Sequence, residues 1–255
     1  SQDKVKNMSV DKLLNKEVDT SILKNATLTP NGALFKTTKK GFLPEIMESM
    51  YNDRVKYKNL LLKAKQDYEN TKDKKLLKDI SRYHNIQMAK KISLNSAYGA
   101  IGNEHFRYYD VLVAEAITTS GQLSIRWIEK SLNDYLNKIL GTKDYDYVLA
   151  SDTDSVYITF DRLVSNSFRQ RDILEKNKCL LSKERVVSFL DRVAREKIEP
   201  FIDKSYSDLA SYINAYDQKM QMKREVIADK GIWTAKKRYI LNAYDVEGVR
   251  YKDPQ

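Results

Sequence analysis

Three long stretches nearly free of glycine and proline set the strongest limit on what this chain can fold into. Neither residue occurs from Ile46 to about Tyr68 or from about Lys75 to Tyr98, and Gly121 is the one interruption between about Ala114 and Leu140. Such lengths exceed ordinary strands. Met47, Met50, Val55, Leu61 and Leu62 recur at roughly helical spacing in the first stretch, as do Ile125, Ile128, Leu132, Tyr135 and Ile139 in the third. The spacing therefore predicts three helices, with Ile125 to Ile139 as a core face of the third. Pro44 fits the first turn of the first helix, where Glu45 and Glu48 complement the positive helix end. The polar run Glu69 to Lys74 turns the chain, and two long helices joined by so short a loop form an antiparallel hairpin. Gly99 is expected to end the second helix and Gly141 the third. Gly121 implies close packing of the third helix against a strand.

The remaining segments carry shorter signals. Pro30-Asn-Gly32 marks a turn between the apolar pieces Ile22 to Leu28 and Ala33 to Phe35. Ala100 to Asp110 reads as a loop, and Asp161 to Leu181 as an irregular, charged surface excursion carrying Cys179. Ser182 can cap a helix with Val186, Phe189, Leu190 and Val193 on its apolar side. Pro200 marks a break, and Ile202, Tyr206, Leu209 and Ile213 suggest a helix beyond it. Met220 to Ile227 and Tyr239 to Val246 read as strands, with Asp229-Lys-Gly231 as a turn between them.

Chemistry concentrates at a few places. In Tyr145 to Phe160, two β-type runs flank Ser151-Asp-Thr-Asp154, so a tight hairpin is predicted with Asp152 and Asp154 at its tip. Extended backbone there would point both carboxylates the same way, a poor arrangement without a cation between them and a good one for a hard ion such as Mg²⁺. The same residues also serve as ordinary turn formers. Lys91, Asn95 and Tyr98 form one stripe at the end of the second helix, either solvated or a binding face for phosphate and base. Arg54 and Lys58 put two cations on one face of the first helix. Lys236-Lys-Arg-Tyr239 sets three cations beside aromatic residues, as a nucleic-acid backbone contact would.

Lys plus Arg number 45 against 35 Asp plus Glu, a formal net charge of +10 that favours a polyanionic partner such as nucleic acid. A single cysteine excludes an internal disulfide framework, and with only two histidines a zinc site is not expected. No apolar run has the length of a membrane helix, so no membrane partner is expected, and the sequence opens Ser-Gln-Asp-Lys without Met, as a fragment would.

Taken together, Lys91-Ile-Ser-Leu-Asn-Ser-Ala-Tyr-Gly99, Ser151-Asp-Thr-Asp-Ser155 and Lys236-Lys-Arg-Tyr239 resemble, in this order, the fingers, palm and primer-template motifs of family B DNA polymerases. Phe106-Arg-Tyr-Tyr-Asp110, Ala116-Ile-Thr-Thr119 and Gly121-Gln122 look similar to the T-even-type phage members. The resemblance covers nearly the whole chain and is thinnest in the first forty residues. It implies an α+β fold, a partial polymerase palm (an antiparallel sheet backed by helices) with an antiparallel two-helix fingers subdomain. The expected segments are 1–42 as a palm edge, 43–99 as fingers, and 100–255 as palm with the primer-template-gripping region.

The resemblance further implies two-metal nucleotidyl transfer from a dNTP to a primer 3′-hydroxyl. Asp154 and, more weakly, Asp152 would be catalytic Mg²⁺ ligands. Arg54, Lys58 and Lys91 would clamp the triphosphate, with Asn95 and Tyr98 lining the nascent base pair. Tyr98, Gly99, Lys236, Lys237, Arg238 and Tyr239 would touch primer-template DNA, and Glu225 resembles an acidic residue near the metals. Two departures stand out. Ser151 replaces the usual Gly, and no Asp-x-x-Ser-Leu-Tyr-Pro-Ser motif, the source of the other main metal-binding aspartate, occurs in the sequence. The expectation is a chain inactive alone, completed by the remaining polymerase portion with its exonuclease and thumb. It would be either a shortened polymerase or one piece of a naturally split one. Self-association through an open sheet edge is also expected, as is location in the cytoplasm of a bacterial host if the gene is a phage's. The alternative is a non-catalytic DNA-binding module of polymerase shape.

Overall fold

A computed structural model describes residues 5–174, 182–235, 237–251, 253 and 254. Cys179 and Lys236 lie outside the described residues. The chain is α+β and divides into two compact units, Ser1–Phe35 with Ala116–Arg224, and Lys36–Glu115 with Glu225–Gln255. The C-terminal strands thus group with the helical hairpin, a different division from the sequence segments 1–42, 43–99 and 100–255.

The first unit is built on α4 (Val111–Leu140), which enters it at Ala116. Asp110 starts this helix by accepting the amides of Leu112 and Val113 on its carboxylate at 3.0 and 3.2 Å. The buried row is Leu123, Trp127, Ile128, Leu132 and Leu136, packed with Leu13, Leu28, Tyr147 and Val148. The core face is therefore rotated from the one expected: Ile139 is 53% exposed, and Ile125 and Tyr135 are only half-buried. Both rows contain Ile128 and Leu132, and periodicity cannot choose between them. Packing against α7 (Glu199–Tyr212), through Ile202, Tyr206 and Leu209, does choose. Trp127 Nε1 donates to the Ser205 carbonyl and hydroxyl, both at 3.1 Å. Gly121 is not a packing glycine, because a β-carbon there would meet nothing within 4 Å.

Around α4 lie α1 (Val10–Leu14), the paired strands β1 (Ala26–Leu28) and β2 (Leu34–Lys36), and the antiparallel hairpin β3 (Val148–Asp152) and β4 (Ser155–Ile158). The Pro30-Asn-Gly32 turn forms, with Gly32 at φ 86° and its amide on the Thr29 carbonyl at 2.8 Å. Residues after Asp161 are helical rather than irregular, in α5 (Asp161–Leu174). Leu163, Val164 and Phe168 fall at helical spacing, and Phe168 meets Phe189 edge-on at 5.4 Å. Ser182 caps α6 (Lys183–Val193), its hydroxyl accepting the Arg185 amide at 3.3 Å. Pro200 makes no break. A five-residue π turn, Ala194–Ile198, with the Glu199 amide on the Ala194 carbonyl, leads straight into α7, so Pro200 sits early in a helix that continues through it.

In the second unit α2 (Phe42–Thr71) and α3 (Leu76–Ile101) form the helical hairpin. Lys72 closes α2 at φ 55°, with its amide on the Tyr68 carbonyl at 2.7 Å. Asp53 pairs with Lys90 at 2.7 Å and Tyr57 meets Tyr83 at 6.4 Å, so residue numbers rise on one helix as they fall on the other. Gly99 does not end α3, which runs two residues further. An interior glycine weakens a helix by only about 1 kcal/mol, and its neighbours carry it.

The sheet of this unit is antiparallel, in the order β5 (Val226–Ala235), β6 (Arg238–Val246) and β7 (Val249–Arg250). Residues Met220 to Glu225 are not strand, and Asp229-Lys-Gly231 is not a turn but a bulge inside β5, between the pairs Ala228↔Ala243 and Gly231↔Leu241. Cross-strand pairing, with Asn242 donating to the Asp229 carboxylate at 2.6 Å, overrides the local turn preference. A β-carbon at Gly231 would stand 2.7–2.8 Å from the Trp233 ring and the Leu241 side chain, so those side chains would have to shift to admit one. The turn itself falls between the pair Ala235↔Arg238, with Lys237 at φ 63°. Among the described residues, no helix is long and apolar enough to cross a membrane.

Candidate functional site

Asp152 ends β3, Asp154 precedes β4, and the two residues Thr153 and Asp154 form the turn between the paired Asp152 and Ser155. The predicted tight hairpin is thus present, but its backbone is not extended at the tip. Thr153 is at φ 42°, a left-handed conformation that a β-branched residue rarely adopts. The Asp154 amide folds back on the Asp152 carbonyl at 2.5 Å, and the Thr153 hydroxyl donates to Asp152 Oδ1 at 3.0 Å. Strict alternation therefore does not align the two side chains. Asp154 is exposed, and its carboxylate has no hydrogen bond or ion pair among the described residues.

Two asparagines on α4 set the approach to this hairpin. Asn133 Oδ1 accepts the amides of Tyr147 and Val148 at 2.8 and 3.3 Å, and its Nδ2 donates to Asp146 at 2.9 Å. Asn137 accepts the Tyr145 amide at 3.0 Å and donates to the Tyr145 carbonyl at 2.7 Å. The strand is thereby hung from the helix by main-chain bonds that any shift of register would break. Tyr147 is then fully buried. Ser151, in place of the usual Gly, donates to Glu129 Oε2 at 3.4 Å. Sequence reasoning missed Asn133, Asn137 and Glu129, although Asn133 and Asn137, four apart beside an apolar stripe, were a readable polar signal. Among the described residues no group of three or more His, Cys, Asp or Glu could hold a metal ion. Asp152 and Asp154 offer hard oxygen donors of the type Mg²⁺ takes, and so fit as part of a coordination sphere rather than the whole of one.

In the second unit, Arg54 and Lys58 of α2 and Gln87, Met88 and Lys91 of α3 line one pocket of about 150 Å³, with Leu61 and Glu247. The antiparallel pairing brings Lys91 opposite the Arg54–Lys58 turn, joining the cation pair and the stripe that sequence treats separately. Arg54 Nε is buried without a hydrogen-bond partner, and Lys91 has no ion-pair partner among the described residues. Lys58 pairs with Glu247. Asn95 and Tyr98 continue the Lys91 stripe and are exposed, Tyr98 by 42%. Three cations against one carboxylate make the pocket suited to an anion with several acceptor oxygens.

Lys237 and Arg238 lie at the tip of the β5–β6 hairpin, and Tyr239 faces Trp233 at 6.5 Å. Glu225 directly precedes β5, with its carbonyl accepting the Glu247 amide.

The sequence profile of DNA polymerase family B matches residues 5–170, more than half of the chain. The chain belongs to DNA polymerase family B. It is 33% identical to the DNA-directed DNA polymerase of Escherichia phage RB69 across 89% of this chain and 30% of that protein. With the DNA-directed DNA polymerase of Enterobacteria phage T4 it shares 43% identity across 66% of this chain and 19% of that protein. A DNA polymerase delta catalytic subunit of Arabidopsis thaliana is 32% identical across 53% of the chain. This family B chain therefore spans less than a third of the length of the curated relatives it matches. Asp152, Asp154 and all five of Arg54, Lys58, Lys91, Asn95 and Tyr98 fall inside the family-matched residues, whereas Lys237 and Arg238 lie beyond them.

Proposed function

We propose that this chain is the palm-and-fingers part of a DNA-directed DNA polymerase that joins a dNTP to a primer 3′-hydroxyl. The observation that carries the reading is the Asp152-Thr153-Asp154 tip in a family B chain, with an exposed Asp154 whose carboxylate has no partner among the described residues. Asp154, with Asp152, would be the residues that hold Mg²⁺, and the ion would supply activation of the attacking oxygen and neutralisation of phosphate charge. Arg54, Lys58 and Lys91 grip the triphosphate oxygens. Asn95 and Tyr98 pack against the nascent base pair, so a mispair that alters its shape fits worse. Gly99 lets the backbone approach the DNA, and Lys236, Lys237, Arg238 and Tyr239 hold the duplex of primer and template. The strained φ at Thr153 supports the reading, because such strain collects where a site must hold one geometry.

We further propose that these 255 residues do not extend a primer by themselves. The other main aspartate ligand belongs to the polymerase motif Asp-x-x-Ser-Leu-Tyr-Pro-Ser, which these 255 residues do not contain. Primer extension with the purified chain, alone and with a polypeptide carrying that motif, tests both statements. Extension is expected only in the mixture, and Asp154→Ala should lower it by at least about 10³-fold, as for a group acting on the reacting atoms, while leaving duplex binding in place. Robust extension by the chain alone would sink the incomplete-site reading. Duplex binding with no extension in the mixture would make the chain a binding module.

A further inference from the structure

One carboxylate in the cation pocket has no part in the nucleotide chemistry above. Glu247 sits in the turn between β6 and β7 at φ 52°, and its side chain pairs with Lys58. That turn is a fixed device. Asp245 accepts the Gly248 amide at 2.9 Å, the Glu247 amide bonds the Glu225 carbonyl, and Val246 pairs with Val249. The Arg250 amide donates to Gln66 Oε1 of α2 at 3.3 Å, tying the turn to the helix that carries Arg54 and Lys58. The Lys58 and Glu247 side chains are 30% and 29% exposed, so their pairing is partly shielded from water. Arg54 Nε meanwhile is buried in the same pocket with no hydrogen-bond partner among the described residues.

We propose that Glu247 is a built-in placeholder for phosphate, occupying Lys58 when the pocket holds no nucleotide and giving way when a polyphosphate enters. This rests on Arg54, Lys58 and Lys91 being the triphosphate clamp. A polyphosphate offers more acceptor oxygens than one carboxylate and can satisfy Arg54 as well, so it displaces Glu247. The affinity observed is then the intrinsic affinity reduced by the fraction of molecules in which Lys58 is free. The placeholder also keeps the cation cluster partly neutralised, so stray carboxylates and chloride gain little there.

Calorimetric titration of the 255-residue chain with inorganic tripolyphosphate tests this, comparing the native chain with Glu247→Gln and Glu247→Asn. Asparagine tolerates the left-handed backbone at this position, so the second variant keeps the turn if the first disturbs it. Both variants should bind about three- to tenfold tighter, the effect of removing one competing charge from a partly exposed pair. Adding Lys58→Met should remove that gain. Equal or weaker binding by both variants, with native binding still dependent on Arg54 and Lys91, would overturn the placeholder and leave the clamp standing. If no variant binds tripolyphosphate, placeholder and clamp both fall. A merely structural role for Glu247 would lower the melting temperature without tightening binding.

Discussion

Asp191 is a buried carboxylate of α6 held between two guanidinium groups. It accepts from Arg195 Nε at 3.1 Å and from Arg224 Nη2 at 2.6 Å. Burial by itself pushes its pKa up, but the hydrogen bonds from Arg195 and Arg224 outweigh burial and hold the carboxyl below its usual range. A carboxyl with a lowered folded pKa stabilises the fold above its unfolded value, roughly pH 4, and that contribution is lost as pH falls toward and through the folded value. Urea unfolding should therefore lose stability below about pH 4, and Asp191→Asn should flatten that part of the profile. At pH 7 the variant should be destabilised by about 3 kcal/mol, because Arg224, only 12% exposed, loses its carboxylate. Matching pH slopes in the two proteins would overturn the assignment. Asp152 and Asp154 were legible by their spacing within a β–turn–β pattern. Asp191 was not, since one of its two partners, Arg224, is 33 positions away and outside any helix or strand.

Among elements, the long helices follow directly from the sequence because their lengths admit nothing else. Their orientation about their own axes does not, as the rotated core face of α4 illustrates. Gly121 sits in α4 with open space where a β-carbon would be, so Gly121→Ala should raise stability by about 0.5–1 kcal/mol through lost unfolded-state entropy. In a thermal melt that is a rise of roughly 1–4 °C for a chain of this size. A fall would mean that a neighbour approaches α4 at Gly121. Strand boundaries were less legible. The β5 bulge at Asp229-Lys-Gly231 has the composition of a turn, and only its pairing with β6 marks it as strand.

For the whole molecule, the net charge of +10 predicts salt-sensitive binding to duplex DNA. Fluorescence anisotropy with a labelled primer-template at several salt concentrations should give a linear fall of log K with log salt. Replacing Lys237 and Arg238 together by alanine should reduce the slope by about 2, near 0.9 for each phosphate that is no longer neutralised. An unchanged slope would remove that hairpin tip from the DNA interface. The division into units belongs to this scale as well. Residues 225–255, read from sequence as a continuation of the palm, share a unit with the helical hairpin, through pairings such as Lys58 with Glu247.

By itself the sequence determined the helical hairpin, the Asp-Thr-Asp turn and the family, because each is encoded locally: in length without breakers, in turn residues, or in a short motif. Arg54, Lys58 and Lys91 were also legible there, as separate cations. Only the tertiary structure decided that these three line one pocket, that Arg54 is left with an unpartnered buried Nε, and that Glu247 sits against Lys58. Those facts depend on residues far apart in the chain coming together, and a side chain's partners are set by which faces are buried against each other, not by its neighbours in sequence.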